Sequence, residues 1–171
     1  MMIVRPETSI DIAKIYRLVE AAFADEPHAE GDEQDFVERL RASRDYVAEL
    51  ARVGVRGESI IAHLMMTRLA VQPPATRSGL LLLAAVSVDR DWRKRGLGTR
   101  MIEDAFDRAR ALGFRSVLVV GDPEFYRRFG FRPSTEFGLA NLNGIEDRYV
   151  QALELTPGAL AGPPAKVALP I

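Results

Sequence analysis

The spacing of apolar residues changes repeatedly along the chain, and these changes predict alternating strands and helices. A short strand at residues 3–5 precedes two helices, the first with apolar positions three or four residues apart. Residues 46–55 and 59–71 are rich in β-forming side chains and flank a turn centred on Gly57, which predicts a hairpin. The first half of the chain therefore predicts the order strand, helix, helix, strand, strand.

The second half begins with residues 80–88, an almost uninterrupted apolar run that predicts a buried strand. The segment after it carries apolar residues at helical spacing and has Gly113 placed to end the helix. The remaining predicted elements are a strand at 115–120, a short aromatic-rich helix ending at Gly130, and strands at 137–142 and 149–155.

The predicted order β-α-α-β-β-β-α-β-α-β-β favours an α/β (α+β) fold in which a mixed sheet carries helices on its faces. Residues 157–171 are rich in Pro, Gly and Ala, and we expect them to lie across the surface. A length of 171 residues favours a single domain over 1–171, with a core at about 2–155 and a tail at 156–171.

Composition narrows the class of protein. The chain has no cysteine, which excludes disulfides, thiolate metal sites and cysteine nucleophiles and fits a cytoplasmic protein. Its formal net charge of −1 argues against a nucleic-acid partner held by a general basic field. Its apolar runs are too short to span a bilayer, and Arg5 and Pro6 interrupt the region where a signal peptide would be apolar. We expect a cytoplasmic protein without a nucleic-acid or membrane partner.

The segment Arg93–Thr99 joins the buried strand to the following helix and predicts an anion site. Unpaired backbone N–H groups and the positive end of the helix dipole point at whatever occupies such a loop. Gly96 and Gly98 remove side chains that would hold an anion away. The sequence therefore predicts that a phosphate group binds at this helix start.

The loop matches neither of the two common nucleotide-binding fingerprints. A Walker loop needs Lys and Ser or Thr directly after its second glycine, and the dinucleotide fingerprint needs three glycines early in a parallel βαβ unit. The spacing Arg93-x-x-Gly96-x-Gly98 instead resembles the acyl-CoA signature Gln/Arg-x-x-Gly-x-Gly/Ala of the GNAT superfamily of N-acetyltransferases.

Two further segments extend the resemblance to about residues 2–155. Residues 86–93 are similar to the strand and loop that lead into the GNAT signature, and residues 125–131 resemble the Tyr-x-x-Phe-Gly-Phe segment near the end of GNAT domains. The chain also resembles a bacterial subgroup of small GNAT proteins at Gly121-Asp122-Pro123 and at residues 157–160. Asp122 stands where many relatives carry Asn near the pantetheine, a departure that leaves this polar contact open.

The resemblance implies the GNAT acyl-CoA N-acyltransferase fold, a mixed and mostly antiparallel sheet flanked by helices. It also implies acetyl-CoA as the co-substrate. The pantetheine arm would pair with the strand backbone, the pyrophosphate would bind the loop amides, and the Arg93 and Arg95 side chains would add charged contacts at the rim. The implied cofactor-binding residues are Val86, Ser87, Val88, Arg93, Lys94, Arg95, Gly96, Leu97, Gly98 and Thr99.

Tyr126 is the candidate general acid, because the leaving thiolate needs a proton and a phenol can supply one. Spacing alone favours Tyr126 as one aromatic residue of a packed helix, whereas the resemblance favours the catalytic role. Without cysteine, direct attack of an amine is favoured over a ping-pong route. The sequence does not decide which group is the general base. The candidates are a water relay and five residues of the first interhelical region. These five residues are Glu26, His28, Glu30, Asp32 and Glu33.

These features predict an N-acetyltransferase that acetylates the primary amine of a small molecule or peptide. The alternatives are an N-acyltransferase for a longer acyl-CoA and a non-catalytic acyl-CoA-binding or sensing module. With only His28 and His63 in the chain, a histidine-based metal site lacks support, and we expect no metal. Sheet edges of this fold can pair between subunits, so a homodimer stays open.

Overall fold

A computed structural model describes the whole chain, residues Met1–Ile171, as two compact units. The first unit comprises Met1–Thr67 and Ala84–Arg108, and the second unit comprises Arg68–Leu83 and Ala109–Ile171. None of the helices has the length and apolar character needed to cross a membrane.

In chain order, the strands and helices are β1 (Ile3–Pro6), α1 (Ile12–Phe23), α2 (Glu33–Arg41), β2 (Tyr46–Arg56), β3 (Ser59–Arg68), β4 (Val71–Gln72), β5 (Leu80–Val88), α3 (Leu97–Ala111), β6 (Ser116–Val120), α4 (Pro123–Tyr126), β7 (Arg132–Pro133), β8 (Leu139–Asn141), β9 (Val150–Glu154) and β10 (Ala165–Val167). The residues of β5 are divided between the two units, with Leu80–Leu83 in the second unit and Ala84–Val88 in the first.

The strands of the first unit are arranged in the order β1-β2-β3-β5. β2 runs antiparallel to both β1 and β3. Arg56 pairs with Ser59, so the predicted hairpin has a two-residue turn, and its first residue, Gly57, has a positive φ of +59° as such turns require. The Asp89 N–H at the end of β5 donates to Ile61 O of β3 at 2.8 Å.

Helices cover both faces of β2 in the first unit, because alternate strand residues point to opposite sides. Val53 faces α1 and α2, whereas Arg52 and Gly54 face α3. Arg52 Nε donates to Asp104 Oδ2 of α3 at 2.7 Å, and a Cβ at Gly54 would lie 3.2 Å from Met101 Sδ. The apolar core on the α1 and α2 side consists of Ile15, Val19, Val37, Leu40, Ala51, Val53, Met65 and Ala84.

The second unit contains two sheets. In one sheet the order is β5-β6-β9-β7, where Leu80–Leu83 pair in parallel with Ser116–Val119 and β9 runs antiparallel to β6 and β7. In the other sheet β10 lies between β4 and β8, antiparallel to β4 and parallel to β8. The predicted mixed fold with mostly antiparallel strands is therefore confirmed.

The expectation that residues 157–171 lie across the surface is only partly right, because ten of them are exposed and five are buried. Leu160, Val167 and Leu169 are buried in the apolar core of the second unit, and β10 supplies the central strand of the small sheet. The buried guanidinium of Arg77 also holds this segment. It donates at 2.8 to 3.2 Å to the carbonyl oxygens of Phe137, Leu160, Gly162 and Pro163.

Strand boundaries differ from prediction mainly where pairing partners are far away in sequence. The strand predicted over 59–71 ends at Arg68, and Val71 belongs to the separate strand β4. The short strands β7 and β10 were not predicted, because each pairs with a distant segment and local periodicity does not report such pairing.

Candidate functional site

The C-terminal part of β5 departs from regular strand geometry. The parallel pairing with β6 covers Leu80–Leu83, and β5 continues as far as Val88. Ala85 has a φ of +52°, a left-handed value that is unfavourable for a residue with a Cβ, and Ser87 Oγ donates to Ala85 O at 3.0 Å. Such backbone strain clusters at binding and catalytic sites. Sequence reasoning missed Ala85, because alanine carries no signal for a positive φ.

A tight turn follows β5 and holds the start of the loop. Asp89 Oδ1 accepts a hydrogen bond from the Asp91 N–H at 2.9 Å, and the Trp92 N–H donates to Asp89 O at 2.9 Å. Because the Asp89 N–H is bonded to β3, the turn is tied to the sheet of the first unit. The loop therefore begins from a fixed backbone position.

The Arg93 side chain binds carbonyl oxygens of the protein. Its Nε donates to Val88 O at 3.2 Å, and its Nη2 donates to Ala22 O in the last turn of α1 at 2.7 Å. A cation at a helix C-terminus is also favoured by the helix dipole. Any contact between this guanidinium and a phosphate, as the sequence predicted, has to compete with these two bonds.

The remainder of the loop presents the first turn of α3. Lys94 and Gly96 have φ values of +59° and +75°, and the Arg100 N–H donates to Gly96 O at 3.0 Å as the helix begins. The N–H groups of Leu97, Gly98 and Thr99 precede this bond, so they have no acceptor within the helix. The structure therefore shows the free helix N-terminus that the sequence predicted after residues 93–96, and phosphate binding there stays a prediction.

The two glycines of the loop are needed for different reasons. Gly96 requires its positive φ, and no atom lies within 4 Å of a Cβ built on it. Gly98 has no such backbone requirement, and a Cβ there would lie 3.7 Å from Val88 Cγ2, an ordinary contact. Protein packing therefore leaves room for a small side chain at Gly98, and its absence leaves the backbone open to a ligand.

Tyr126 lies in the second unit, at the end of α4. Asp122 caps this helix by accepting a hydrogen bond from the Glu124 N–H at 3.0 Å. The Tyr126 ring meets the Phe131 ring edge-on at a centroid distance of 5.6 Å. A Cβ at Gly121 would lie only 2.5 Å from Tyr126 Cε2, so this glycine gives the ring its space. The sequence did not reveal this role of Gly121 beside the candidate residue Tyr126.

Burial raises the pKa of the Tyr126 phenol to about 12, and the negative charge of Asp122 acts in the same direction. The hydroxyl is therefore protonated at any ordinary working pH. It can donate a hydrogen bond or a proton, and it cannot serve as a base.

The five candidate bases differ in whether their side chains already form hydrogen bonds or ion pairs within the protein. The Glu33 carboxylate accepts hydrogen bonds from the N–H groups of Glu30 and Gly31 at 2.8 and 3.0 Å, which closes the loop before α2. Asp32 lies 3.7 Å from the Arg39 guanidinium. The other three candidates, Glu26, His28 and Glu30, are exposed.

A buried charged cluster lies between β3, α2 and the segment after β1. Glu7 accepts hydrogen bonds from Arg41 Nε at 2.6 Å and Tyr46 Oη at 3.0 Å, and its Oε2 lies 3.0 Å from His63 Nε2. Burial alone would raise the pKa of Glu7, but the hydrogen bonds from His63 and Arg41 lower it to about 2. Burial lowers the pKa of His63, whose Nδ1 has no hydrogen-bond partner.

The cluster satisfies only one of the two ring nitrogens of His63. No group of three or more His, Asp or Glu side chains is arranged to hold a metal ion.

Comparisons with known proteins identify the family of the chain. A family model described as an acetyltransferase (GNAT) domain matches residues 4–134. The uncharacterized N-acetyltransferase YhbS of Escherichia coli (strain K12) is 26% identical over 162 residues, covering 94% of this chain and 92% of that protein.

Solved structures share the fold. The GNAT family N-acetyltransferase YhbS from Escherichia coli, crystallised in complex with CoA, aligns with a TM-score of 0.87 at 24% identity, covering 98% of this chain and 88% of that chain. A GNAT family acetyltransferase from Brucella melitensis, in complex with acetyl-CoA, aligns with a TM-score of 0.80 at 25% identity. The alignment covers 99% of this chain and 96% of that chain.

Proposed function

The chain belongs to the GNAT acetyltransferase family, and from this premise we propose that it transfers the acetyl group of acetyl-CoA to a primary amine by direct attack. The observation that carries the proposal is the first turn of α3. Its free N–H groups at Leu97–Thr99 and the open backbone at Gly98 suit the pyrophosphate of CoA. The acetyl-CoA bound to the Brucella melitensis relative supports the same donor.

The strained end of β5 is the proposed site of the pantetheine arm and the thioester. An extended arm can pair with the backbone of Val86, Ser87 and Val88 as an added strand would. In the reaction the amine nitrogen attacks the thioester carbonyl and forms the new C–N bond. Backbone N–H groups of β5 stabilise the oxyanion, and the C–S bond then breaks to release CoA.

Tyr126 is the proposed general acid for the leaving sulfur, to which its hydroxyl donates a hydrogen bond. An ordinary thiol has a pKa of about 8.5, well below that of this phenol, so a full proton transfer to a free thiolate would be unfavourable. The hydroxyl therefore acts mainly by strengthening its hydrogen bond to sulfur as the C–S bond breaks. The amine proton leaves through a water relay or through one of the exposed residues Glu26, His28 and Glu30.

Release of free thiol from acetyl-CoA, measured against polyamines, amino acids, aminoglycosides and short peptides, tests the reaction. Longer acyl-CoA donors in the same assay test the acyl-chain preference. We expect turnover with acetyl-CoA and at least one amine. Tight CoA binding without turnover on any amine would instead support the non-catalytic sensing module.

Tyr126→Phe tests the proton donor, with Tyr149→Phe as a matched change in the same unit. We expect Tyr126→Phe to lower kcat by about 10² to 10⁴-fold while CoA affinity is unchanged. A variant that keeps full turnover would exclude Tyr126 as the acid. Since its pKa is about 12, the wild-type rate should show no decline from tyrosine ionisation between pH 8 and pH 10.

Gly98→Ala and Gly98→Val form a matched pair for the donor site. The small methyl group is compatible with the 3.7 Å contact to Val88, so CoA binding should persist in Gly98→Ala. The branched side chain of valine should weaken CoA binding by about tenfold or more, which corresponds to about 1.4 kcal/mol. CoA affinity in Gly98→Val equal to that of the wild type would contradict a pyrophosphate at this turn.

A further inference from the structure

Two arginine side chains converge on one indole ring beside the start of α3. The Arg56 guanidinium carbon lies 4.4 Å from the centre of the Trp92 ring, and that of Arg95 lies 4.8 Å from it. We call Arg56, Trp92 and Arg95 the indole–arginine cluster. The reaction described above gives no role to Arg56 or Trp92.

The cluster joins residues that are far apart in sequence at the end of the unit where α3 begins. Arg56 is the last residue of β2 before the hairpin turn, and Trp92 belongs to the turn after β5. Arg95 directly precedes Gly96, whose carbonyl accepts the first hydrogen bond of α3. The two cations are therefore held near the N–H groups proposed to bind pyrophosphate.

The charges of Arg56 and Arg95 are not neutralised by the protein. Both side chains are exposed, and neither forms an ion pair with a carboxylate. Asp91 lies on the same turn as Trp92 but is not within ion-pair distance of either arginine. By contrast, Arg90 of this turn binds Asp25 at 2.6 Å, and Arg93 binds two carbonyl oxygens.

Attraction to the indole ring holds both guanidinium groups beside Trp92, although they carry like charges and repel each other. A ligand with two negative charges would relieve that repulsion. A phosphate monoester carries close to two negative charges at pH 7 and offers three strong acceptor oxygens to guanidinium donors. CoA carries such a group on its ribose, separate from the pyrophosphate.

We propose that the indole–arginine cluster binds the 3′-phosphate monoester of CoA, which makes Arg56 a specificity-determining residue for the donor. The inference rests on the proposed function, since it assumes that CoA occupies the loop. The pyrophosphate contacts backbone N–H groups, and the monoester contacts the two side chains. The cluster therefore distinguishes CoA from 3′-dephospho-CoA.

Binding of CoA and of 3′-dephospho-CoA, measured by calorimetry, tests the proposal without any amine. Trp92 is the only tryptophan of the chain, so its fluorescence reports directly on the cluster. We expect CoA to bind about tenfold or more tightly than 3′-dephospho-CoA, and only CoA to change the Trp92 emission strongly. Equal affinity for the two ligands would overturn the subsite.

Arg56→Gln and the control Arg44→Gln locate the effect. Arg44 is an exposed arginine of the same unit, away from the loop in sequence. Arg56→Gln should weaken CoA binding by about tenfold and leave 3′-dephospho-CoA binding within about twofold, and Arg44→Gln should change neither. Equal weakening of both ligands in Arg56→Gln would show that Arg56 does not contact the 3′-phosphate.

The two proposals fail in different ways. If neither CoA nor 3′-dephospho-CoA binds the wild-type protein, the proposed function itself is wrong, and the subsite with it. If both bind with the same affinity and acetyl transfer is observed, the function stands and the subsite does not.

Discussion

Replacing Glu7 with glutamine should lower the free energy of unfolding by about 3 kcal/mol at pH 7. The Glu7 carboxylate is 3% exposed and lies within hydrogen-bond distance of Arg41, Tyr46 and His63. Glutamine keeps the shape but removes the charge, and it points an NH₂ group at donors. Arg41 then retains Glu38 as its remaining ion-pair partner.

The magnitude follows from the pKa of Glu7. Its fall from an ordinary 4.5 to about 2 corresponds to about 3 kcal/mol of differential stabilisation of the charged form. Removing one partner of a buried ion pair costs about 3 to 5 kcal/mol in other proteins, which is the same size.

The sign of the pH dependence is fixed by the direction of the shift. Because the folded-state pKa is lowered, the Glu7 contribution is complete above about pH 4.5 and is lost as the pH falls toward 2. The pKa of buried His63 is also lowered, so its contribution has the same sign and is lost below its ordinary value of 6.5. The informative quantity is therefore the difference between wild type and Glu7→Gln, not the wild-type slope.

Urea denaturation followed by circular dichroism from pH 7 to pH 2.5 measures this difference. We expect the two stability curves to converge as the pH falls below 4.5. Glu103→Gln makes the same chemical change on an exposed face of α3 and should stay within about 0.5 kcal/mol of wild type. A constant gap between wild type and Glu7→Gln at every pH, or a loss below about 1 kcal/mol at pH 7, would refute the reasoning.

Three further predictions concern the second unit and the chain as a whole. Arg77→Met removes a buried guanidinium bonded to four carbonyl oxygens, so denaturant unfolding should show a loss of about 3 to 5 kcal/mol, whereas exposed Arg128→Met should show little. Gly121→Ala should displace the Tyr126 ring and lower turnover by about tenfold or more. It should also lower the pKa of the phenol from about 12, which ultraviolet titration measures. Unchanged turnover and an unchanged pKa would contradict this prediction. Since β5 supplies residues to both units, we propose that the chain is a single domain and expect one transition in calorimetry. Two resolved transitions would contradict a single domain.

The most predictable parts of this protein are those set by neighbouring residues. The apolar run of β5, the helical spacing of α3 and the two-residue turn at Gly57 follow from short-range periodicity and backbone preference. The anion-binding geometry at Gly96 and Gly98 could be predicted for the same reason, because a strand, a glycine loop and a helix N-terminus are consecutive in sequence.

The parts that could not be predicted depend on residues that meet only after folding. The Arg93 side chain donates to a carbonyl oxygen at the end of α1, seventy-one positions away, a contact that no local pattern predicts. Glu7 and His63 are separated by fifty-six positions and carry no local sign of pairing. The segment 157–171 looks like a surface tail by composition, but five of its side chains are buried, and Arg77 and the small sheet hold it in place.

The sequence by itself determined the family, the order of most elements and the loop that suits a phosphate, because each of these depends on residues that are contiguous in the chain. Only the tertiary structure decided the left-handed backbone at Ala85, the space for Tyr126 beside Gly121 and the meeting of Arg56 with Trp92. These features depend on strand pairing and packing between distant segments. A local pattern of side chains does not predict the free energy of such contacts.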